Sequence, residues 1–524
     1  MPKMIDINKI HKKKTKGMLK FTRSSGLLLH PTSLPGAYGI GEMGEAAYRW
    51  IDFLADAGQS IWQILPLGPT GYGNSPYQTI SVFAGNPLLL DIVDLANRGY
   101  IPHKCLQEIP SFPPGKVDFN TLIDWKMPIL LQVYQRFSEH PERQDQVAFE
   151  EFCARHDEAW LNDFSLFVAL KNHFGGISWH EWKDELKHRE PVALAQWAQR
   201  LREEIQGQKF LQYLFFQQWQ KLKSYANEKG IRILGDIPIY VTYDSADVWA
   251  NQEQFCLDED RLPRVVAGVP PDYFSETGQL WGNPIYDWQK MQADDFRWWK
   301  ERVRITLDMV DLIRIDHFRG FEAYWAVPFG EETAVHGEWL KGPGAAFFES
   351  LLHHFRELPF IVEDLGFITP EVEALRDRFH FPGMKILQFA FDSGAKNPFL
   401  PHNFDRHCVV YTGSHDNDTT VGWFAKISGE EREYCIQYLG GRREDIAWQL
   451  IRLGMSSTAM MAIFPVQDVL SLGSEARMNL PGVPNGNWTW RLLPGQLTQE
   501  HARRLAELTE IYGRTENEVP APRQ

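Results

Sequence analysis

Eight short apolar segments recur along this chain, and helical patterns or longer insertions lie between most of them. They are centred near residues 27, 62, 233, 313, 361, 387, 410 and 462, and the sixth is predicted to run from Met384 to Phe391. Short apolar runs rich in β-branched residues and bounded by Gly or Pro are typical of buried strands. Eight such strands alternating with helices predict a (β/α)8 TIM barrel of the α/β class. An open doubly wound sheet is the alternative, but no GxGxxG sequence follows the first strand.

Acidic residues follow several of the predicted strand ends. They are Asp236, Asp316, Glu363, Asp392 and Asp416. The carboxyl ends of all strands of a TIM barrel lie on one face, so we expect these acids to converge there. Paired carboxyl groups suit cleavage of a glycosidic bond, because one protonates the leaving oxygen while another faces the anomeric carbon. A separation of about 5–5.5 Å would let the second carboxylate attack directly and retain the anomeric configuration.

Arg314 interrupts the apolar run that leads to Asp316. A guanidinium buried in a strand is unfavourable unless it is paired. We expect Arg314 to hold Asp316 ionised beside other carboxylates, although a pair that only ties the strand to its loop is the structural alternative. His317 and His415 are expected to offer neutral donors to sugar hydroxyl groups.

Several of these residues also have purely structural interpretations. Asp236 and Asp392 could cap loops or the helices that follow them. The segment 415–418 (HDND) could form a turn with Asx hydrogen bonds or part of a divalent-cation site, but the chain has no EF-hand spacing. Three aromatic residues in Gly/Pro-rich loops could belong to the core: Tyr77, Trp281 and Trp488.

The composition excludes several classes of partner. A net charge of −14 argues against nucleic acid or an anionic membrane, and no segment reaches the roughly 18–20 apolar residues of a spanning helix.

No apolar core of a signal peptide precedes Gly26, and the basic run 12–16 is expected to be a solvated tail. Five Cys without CxxC or CxxH spacing predict reduced thiols and no zinc site. We therefore expect a cytoplasmic enzyme with a neutral polar substrate, no metal and no cofactor.

The pattern also predicts how the chain is divided. Residues 1–22 read as a polar N-terminal extension, and 23–524 as the catalytic barrel. A mostly helical insertion at 100–228 and a long loop at 250–290 interrupt the barrel. That loop contains Gly, Pro and aromatic residues without an apolar period, which predicts a functional loop over the active-site cleft.

Seven motifs are recognisable together. They are 72–77 (YGNSPY), 235–241 (GDIPIYV), 266–274 (VAGVPPDYF), 278–284 (GQLWGNP), 314–320 (RIDHFRG), 362–366 (VEDLG) and 412–420 (TGSHDNDTT). From about residue 23 to 512, the chain resembles the amylomaltases, which are 4-α-glucanotransferases or disproportionating enzymes of the α-amylase superfamily. Only Ser414 departs from the core motifs, where Thr is expected, and both residues carry a hydroxyl group.

The resemblance implies a role for each matching residue. Asp316 would be the nucleophile that forms a β-glucosyl ester, Glu363 the acid and then the base, and Asp416 the group that holds the 2- and 3-hydroxyls of the distorted sugar. The substrate-binding residues implied are Arg314, His317, His415, Asp236, Ser75, Tyr77, Tyr273, Phe274, Gln279, Trp281, Asp392 and Asn487.

The resemblance further implies transfer of 1,4-α-glucan segments to the 4-hydroxyl of a glucan or of glucose, by retaining double displacement. Maltooligosaccharides would be the substrates. A transferase must favour a sugar over water, and acceptor subsites with a lid at 250–290 would serve that purpose. An α-glucan hydrolase is the alternative enzyme. A catalytically idle glucan-binding protein is a second alternative, but it would have no reason to hold several carboxylates together.

Overall fold

The computed structural model describes residues 22–139, 143–271, 275–483 and 485–515. The predicted N-terminal extension therefore lies almost wholly outside the described residues. The strands are β1 (Ser24–Leu28), β2 (Ile61–Gln63), β3 (Arg232–Ile237), β4 (Val265–Val269), β5 (Gln279–Pro284), β6 (Leu312–Ile315), β7 (Ala323–Pro328), β8 (Glu338–Lys341), β9 (Phe360–Val362), β10 (Gly383–Ile386), β11 (Cys408–Tyr411) and β12 (Met461–Pro465).

Eight of these strands form one parallel sheet in the order β10-β11-β12-β1-β2-β3-β6-β9. The amide of Val362 at the end of β9 donates to the carbonyl of Pro382 just before β10 (2.9 Å), which closes the sheet into a barrel. Strands such as β1, β11 and β12 are buried along their whole length, because side chains fill the barrel and helices cover it. The TIM barrel predicted from the eight apolar segments is confirmed.

One predicted strand is wrong in its extent. The segment 384–391 is a strand only as far as Ile386, and a 3-10 turn, Leu387–Phe389, follows it. The run stays apolar beyond the strand because Leu387 and Phe391 pack into the core. Periodicity alone does not separate a buried strand from a buried turn. Asp392 consequently lies six residues beyond the strand end, not directly after it.

Helices surround the barrel and make up most of the segment between β2 and β3. The α-helices in the described part of the chain are Glu45–Asp56, Ile92–Asn97, Phe119–Leu131, Val133–Glu139, Arg143–His156, Asn162–His173, Asp184–Lys187, Pro191–Arg200, Arg202–Glu228, Ala246–Ala250, Trp288–Ala293, Arg297–Met309, Gly344–Phe355, Pro370–Arg378, Thr420–Lys426, Gly429–Tyr438, Ile446–Ser456, Val466–Val469 and Gln499–Ile511. The long helix Arg202–Glu228 packs on the barrel through Trp219, whose indole N–H donates to the carbonyl of Met309 (2.8 Å).

A second, antiparallel sheet has the strand order β5-β4-β7-β8. Its first two strands come from the segment 250–290, where the sequence predicts one long loop. β5 carries Gln, Gly and Asn and is exposed on both faces over most of its length, so it has no apolar alternation to reveal it. The sheet contacts the barrel rim, where the Asn283 side chain donates to the carbonyl of Val241 (2.9 Å). The division of the chain into a barrel and insertions stays a prediction.

None of the helices in the described ranges is long and apolar enough to cross a membrane.

Candidate active site

Three neighbouring strands bring acidic residues to one rim of the barrel. Asp236 is the penultimate residue of β3, Asp316 directly follows β6, and Glu363 directly follows β9. The ladder continues through these residues, because the amide of Asp316 donates to Ile237 and that of Glu363 donates to Ile315 (both 2.9 Å). The parallel register therefore places the three acids side by side at the carboxyl ends of the strands, where TIM-barrel enzymes have their active sites.

Arg314 forms a buried bridge between two of these carboxylates. Its Nη1 lies 2.6 Å from Oδ2 of Asp236 and 2.9 Å from Oδ1 of Asp316. Burial opposes the charge on Arg314, but the two carboxylates raise the pKa of the guanidinium well above its ordinary value. Burial raises the pKa of Asp236 to about 6 even though Arg314 acts against that shift. The predicted pairing of Arg314 with Asp316 is present, and Asp236 shares it.

Glu363 lies in an environment that favours its protonated form. Desolvation, reinforced by the negative charge of Asp316, raises the pKa of Glu363 to about 7. Two hydrogen bonds oppose this shift without reversing it: Oε2 accepts one from the amide of His317 (2.8 Å), and Oε1 accepts one from the amide of Leu365 (3.1 Å). A carboxyl group that keeps its proton near neutral pH, beside another carboxylate, is suited to general acid catalysis.

Asp416 has the opposite electrostatic setting. Its Oδ2 lies 3.2 Å from Nε2 of His415, and its Oδ1 accepts a hydrogen bond of 2.6 Å from the Asn479 side chain. Desolvation alone would raise the pKa of Asp416, but His415 and Asn479 together lower it far below its ordinary value. Asp416 in turn raises the pKa of His415 against the effect of burial. Asp416 is therefore an ionised acceptor at neutral pH.

Tyr77 connects Asp236 with His415, which is the partner of Asp416. Its hydroxyl donates to Oδ2 of Asp236 (2.8 Å), and its ring stacks on His415 with the centroids 5.0 Å apart. Trp488 packs against both rings, with centroids 5.8 and 6.0 Å away. Tyr77 and Trp488 thus contact the site and are not only core residues.

His317 and Trp281 form an edge-to-face pair beside Asp316. Their ring centroids lie 4.7 Å apart at an interplanar angle of 86°. Burial lowers the pKa of His317 to about 4, so its imidazole is neutral at pH 7. This contact brings the antiparallel sheet, through Trp281 of β5, to the loop that carries Asp316.

The remaining predicted residues differ in how the structure holds them. The Ser75 hydroxyl accepts from the amide of Tyr77 (3.2 Å), and the Gln279 side chain accepts from the Trp281 indole (3.2 Å). The Asn487 side chain is bonded to its own loop, at Leu480 and Val483.

Asp392 is not brought into the cluster of acids. Asp392 is exposed, and its carboxylate accepts a hydrogen bond from the Asn397 side chain within its own loop (2.8 Å). Its predicted role in substrate binding stays a prediction. Tyr273 and Phe274 lie outside the described residues.

Asn479 and Arg477 were not predicted from the sequence. Arg477 donates to the main-chain carbonyls of Asp416 (2.6 Å) and Asn479 (2.7 Å), so it fixes the loop that presents the Asn479 amide. Both residues lie in a Gly/Pro-rich loop beyond β12, and nothing in the sequence indicates that this loop folds back onto the segment after β11.

The site is built for acid–base and charge-stabilising chemistry. In the described part of the chain, no group of three or more His, Cys, Asp or Glu side chains is arranged to hold a metal ion. A carboxyl group protonated near pH 7, a carboxylate paired with Arg314 and an ionised Asp416 are the parts needed to break a glycosidic bond through a positively charged transition state.

Known proteins of the same kind match almost the whole chain. The family model described as 4-alpha-glucanotransferase matches residues 29–497. The 4-alpha-glucanotransferase of Synechocystis sp. is 53% identical over 94% of this chain and 98% of its own length, and that of Thermus thermophilus is 52% identical over 95% and 100%. The amylomaltase of Streptococcus agalactiae, solved in complex with acarbose, superposes with a TM-score of 0.91 at 40% identity, covering 94% of this chain and all of its own. The predicted resemblance is confirmed, and the chain belongs to the 4-alpha-glucanotransferase family.

Proposed function

We propose that this protein transfers segments of a 1,4-α-glucan to the 4-hydroxyl of an acceptor glucan or of glucose, with retention of anomeric configuration. The observation that carries the proposal is the contrast between two adjacent acids: Glu363, with a pKa of about 7, and Asp316, paired with Arg314. One group is able to give a proton at neutral pH, and the other is held beside a cation as a nucleophile requires.

In the first step, Asp316 attacks the anomeric carbon and forms a glucosyl ester. The bond from that carbon to the glycosidic oxygen breaks, and Glu363 gives its proton to the departing oxygen. In the second step, Glu363 takes the proton of the acceptor 4-hydroxyl as that oxygen attacks the anomeric carbon. The ester bond breaks and Asp316 leaves as a carboxylate, so both acids return to their starting forms.

Asp416 and His415 would bind the 2- and 3-hydroxyls of the reacting sugar. Hydrogen bonds to these hydroxyls strengthen as the sugar ring flattens towards the oxocarbenium-like transition state. The ionised state of Asp416, maintained by His415 and Asn479, supports this role. Arg314, itself held by Asp236, would orient the carboxylate of Asp316.

Transfer requires that a sugar hydroxyl reacts with the glucosyl ester before water does. The contact of Trp281 with His317 supports a role for the antiparallel sheet as a cover that restricts water near Asp316. The relatives from Synechocystis sp. and Thermus thermophilus are named 4-alpha-glucanotransferases, which also favours transfer over hydrolysis.

Maltooligosaccharides are the proposed substrates, and glucose is the smallest proposed acceptor. The complex of the Streptococcus agalactiae relative with acarbose supports a sugar-binding site on this fold. Five free cysteine thiols support the further proposal that the protein works in the reducing cytoplasm.

Incubation with maltotriose tests the proposal. Chain-length distribution and total reducing ends are followed together. A ladder of longer glucans plus glucose, with constant reducing ends, is the expected result. Rising reducing ends without longer products would identify a hydrolase, and no change in either quantity would overturn the proposed activity.

A further inference from the structure

Phe367 has the most exposed large apolar side chain in the described ranges, with 72% of its surface accessible. A single exposed apolar residue needs no explanation in itself, so its position decides its meaning. It lies four residues after Glu363 in the loop that follows β9. Four residues span at most about 14 Å, so the ring is confined to the neighbourhood of the acid.

A buried arginine holds Phe367 in place. Nη1 of Arg319 donates to the carbonyl of Phe367 (2.8 Å), and the guanidinium carbon lies 5.3 Å from the Phe367 ring centroid. The same guanidinium lies 3.8 Å from the ring centroid of Trp339, which belongs to β8 and is 38% exposed. Trp339 is further supported by its cross-strand partner Trp325, with ring centroids 5.4 Å apart.

This arrangement joins three segments of the chain. Arg319 comes three residues after Asp316, Phe367 comes from the loop of Glu363, and Trp339 comes from the antiparallel sheet. Both rings make cation–π contacts with the same buried guanidinium, which orients them. Because the rings are already oriented, they lose little side-chain freedom when a ligand binds. We refer to Phe367, Trp339 and Arg319 as the aromatic platform.

The chemistry of the reaction indicates what occupies the platform. Glu363 protonates the oxygen that leaves with the departing glucan, so the leaving chain, and later the acceptor chain, lies on the Glu363 side of the reacting sugar. Glucose rings present apolar faces that match flat aromatic side chains, and rigid aromatics provide contact area with little loss of entropy. Two exposed rings offer far less than the roughly 800 Å² per partner of a stable protein interface.

We propose that the aromatic platform binds the acceptor glucan at sugars beyond the one that reacts, and thereby sets the preference for longer acceptors. This inference rests on the proposed transferase function. It concerns only the sugars that a long acceptor has and glucose lacks, so the chemical steps at Asp316 and Glu363 do not depend on it.

Phe367→Ala is the test. An α-maltosyl fluoride donor is held fixed, and fluoride release and transfer products are measured with either glucose or maltotetraose as acceptor. We expect the KM for maltotetraose to rise about tenfold, which corresponds to about 1.4 kcal/mol, while the KM for glucose and the maximal rate stay unchanged. The fraction of ester lost to water should rise in the presence of maltotetraose. Phe367→Tyr keeps the ring and should behave as the wild type.

Phe329→Ala is the matched control, because Phe329 is also exposed (49%) but lies in the turn after β7, where its amide bonds to the carbonyl of Arg264. Its acceptor KM values should not change. Exposure of Phe367 predicts little loss of stability in Phe367→Ala, and thermal unfolding checks this.

The outcomes separate the two proposals. A wild-type protein that makes no longer glucans overturns the transferase function itself. A wild type that transfers normally, with Phe367→Ala unchanged towards maltotetraose, overturns the platform alone. Equal rises in KM for glucose and maltotetraose would also overturn it, because the change would then act at the reacting sugar.

Discussion

The main-chain amide of His317 donates a 2.8 Å hydrogen bond to Oε2 of Glu363. His317 has a φ of 49°, in the left-handed region that costs roughly 1–2 kcal/mol for a residue with a side chain. His317 is also the residue from which the 3-10 turn Phe318–Phe321 begins. The left-handed residue therefore lies between Asp316 and this turn, and its amide contacts the acid on the next strand.

Asp316→Asn should abolish turnover while leaving the fold in place. The amide is isosteric with the carboxylate, but it is too weak a nucleophile to form the glucosyl ester. We expect the rate with maltotriose to fall by about 10⁴-fold or more. Chain-length analysis measures the activity and thermal unfolding checks the fold; an active variant of confirmed sequence would refute the assignment of the nucleophile.

Glu363→Gln should fail with ordinary glucans and partly recover with an α-glucosyl fluoride donor. General acid catalysis contributes about 10²–10⁴-fold, and a fluoride leaving group does not need a proton. Ester formation is measured by fluoride release. If the variant were equally slow with both donors, Glu363 would not be the acid.

The rate with glucan donors should fall as the pH rises through about 7. The pKa of Glu363 is raised to about 7, and only its protonated form protonates the leaving oxygen, so activity is present below that pH and is lost above it. The profile of kcat/KM against pH measures this limb. With a fluoride donor the limb should weaken, whereas Asp236→Asn should retain it. An unchanged limb with both donors would assign it to another group.

Asn479→Ala should weaken catalysis through Asp416. A hydrogen bond to a charged group contributes about 1.5–3 kcal/mol, so kcat/KM should fall by about 10–100-fold. Asn479→Asp should be worse at neutral pH, because it puts a second negative charge next to Asp416, and it should improve as the pH is lowered. A role limited to stability would lower the unfolding temperature without this pH-dependent difference between the two variants.

Arg314→Leu should destabilise the fold as well as stop the reaction. It removes the cation that pairs with the buried carboxylate of Asp236 and leaves only the Tyr77 hydroxyl as its partner, which costs about 3–5 kcal/mol. Adding Asp236→Leu removes the unpaired charge and should restore much of the unfolding free energy but no activity. Denaturant unfolding of both variants checks this. Equal stability of the single and double variants would show that Asp236 does not depend on Arg314.

The barrel could be predicted because its strands are buried on both faces and therefore read as continuous apolar runs. The acids of β3, β6 and β9 followed from the same pattern, since a charged residue at the end of such a run is conspicuous. The strand end before Asp392 could not be placed in this way, because the apolar run continues through a buried turn after β10.

The antiparallel sheet and Asn479 could not be predicted for two different reasons. Strand β5 is exposed on both faces over most of its length, so its residues carry no alternation. Asn479 reaches Asp416 by a contact between residues far apart in the chain, and such a contact leaves no local signal.

Strand β1 pairs with β2 on one side and with β12 on the other. β1 therefore completes its pairing only after β12, which ends at Pro465, has been synthesised. At about 5–20 residues per second, the interval between synthesis of β1 and of β12 is roughly 20–90 s. Throughout this time, the other edge of β1 lacks the strand with which it pairs in the folded barrel. The barrel therefore closes only after synthesis has passed Pro465.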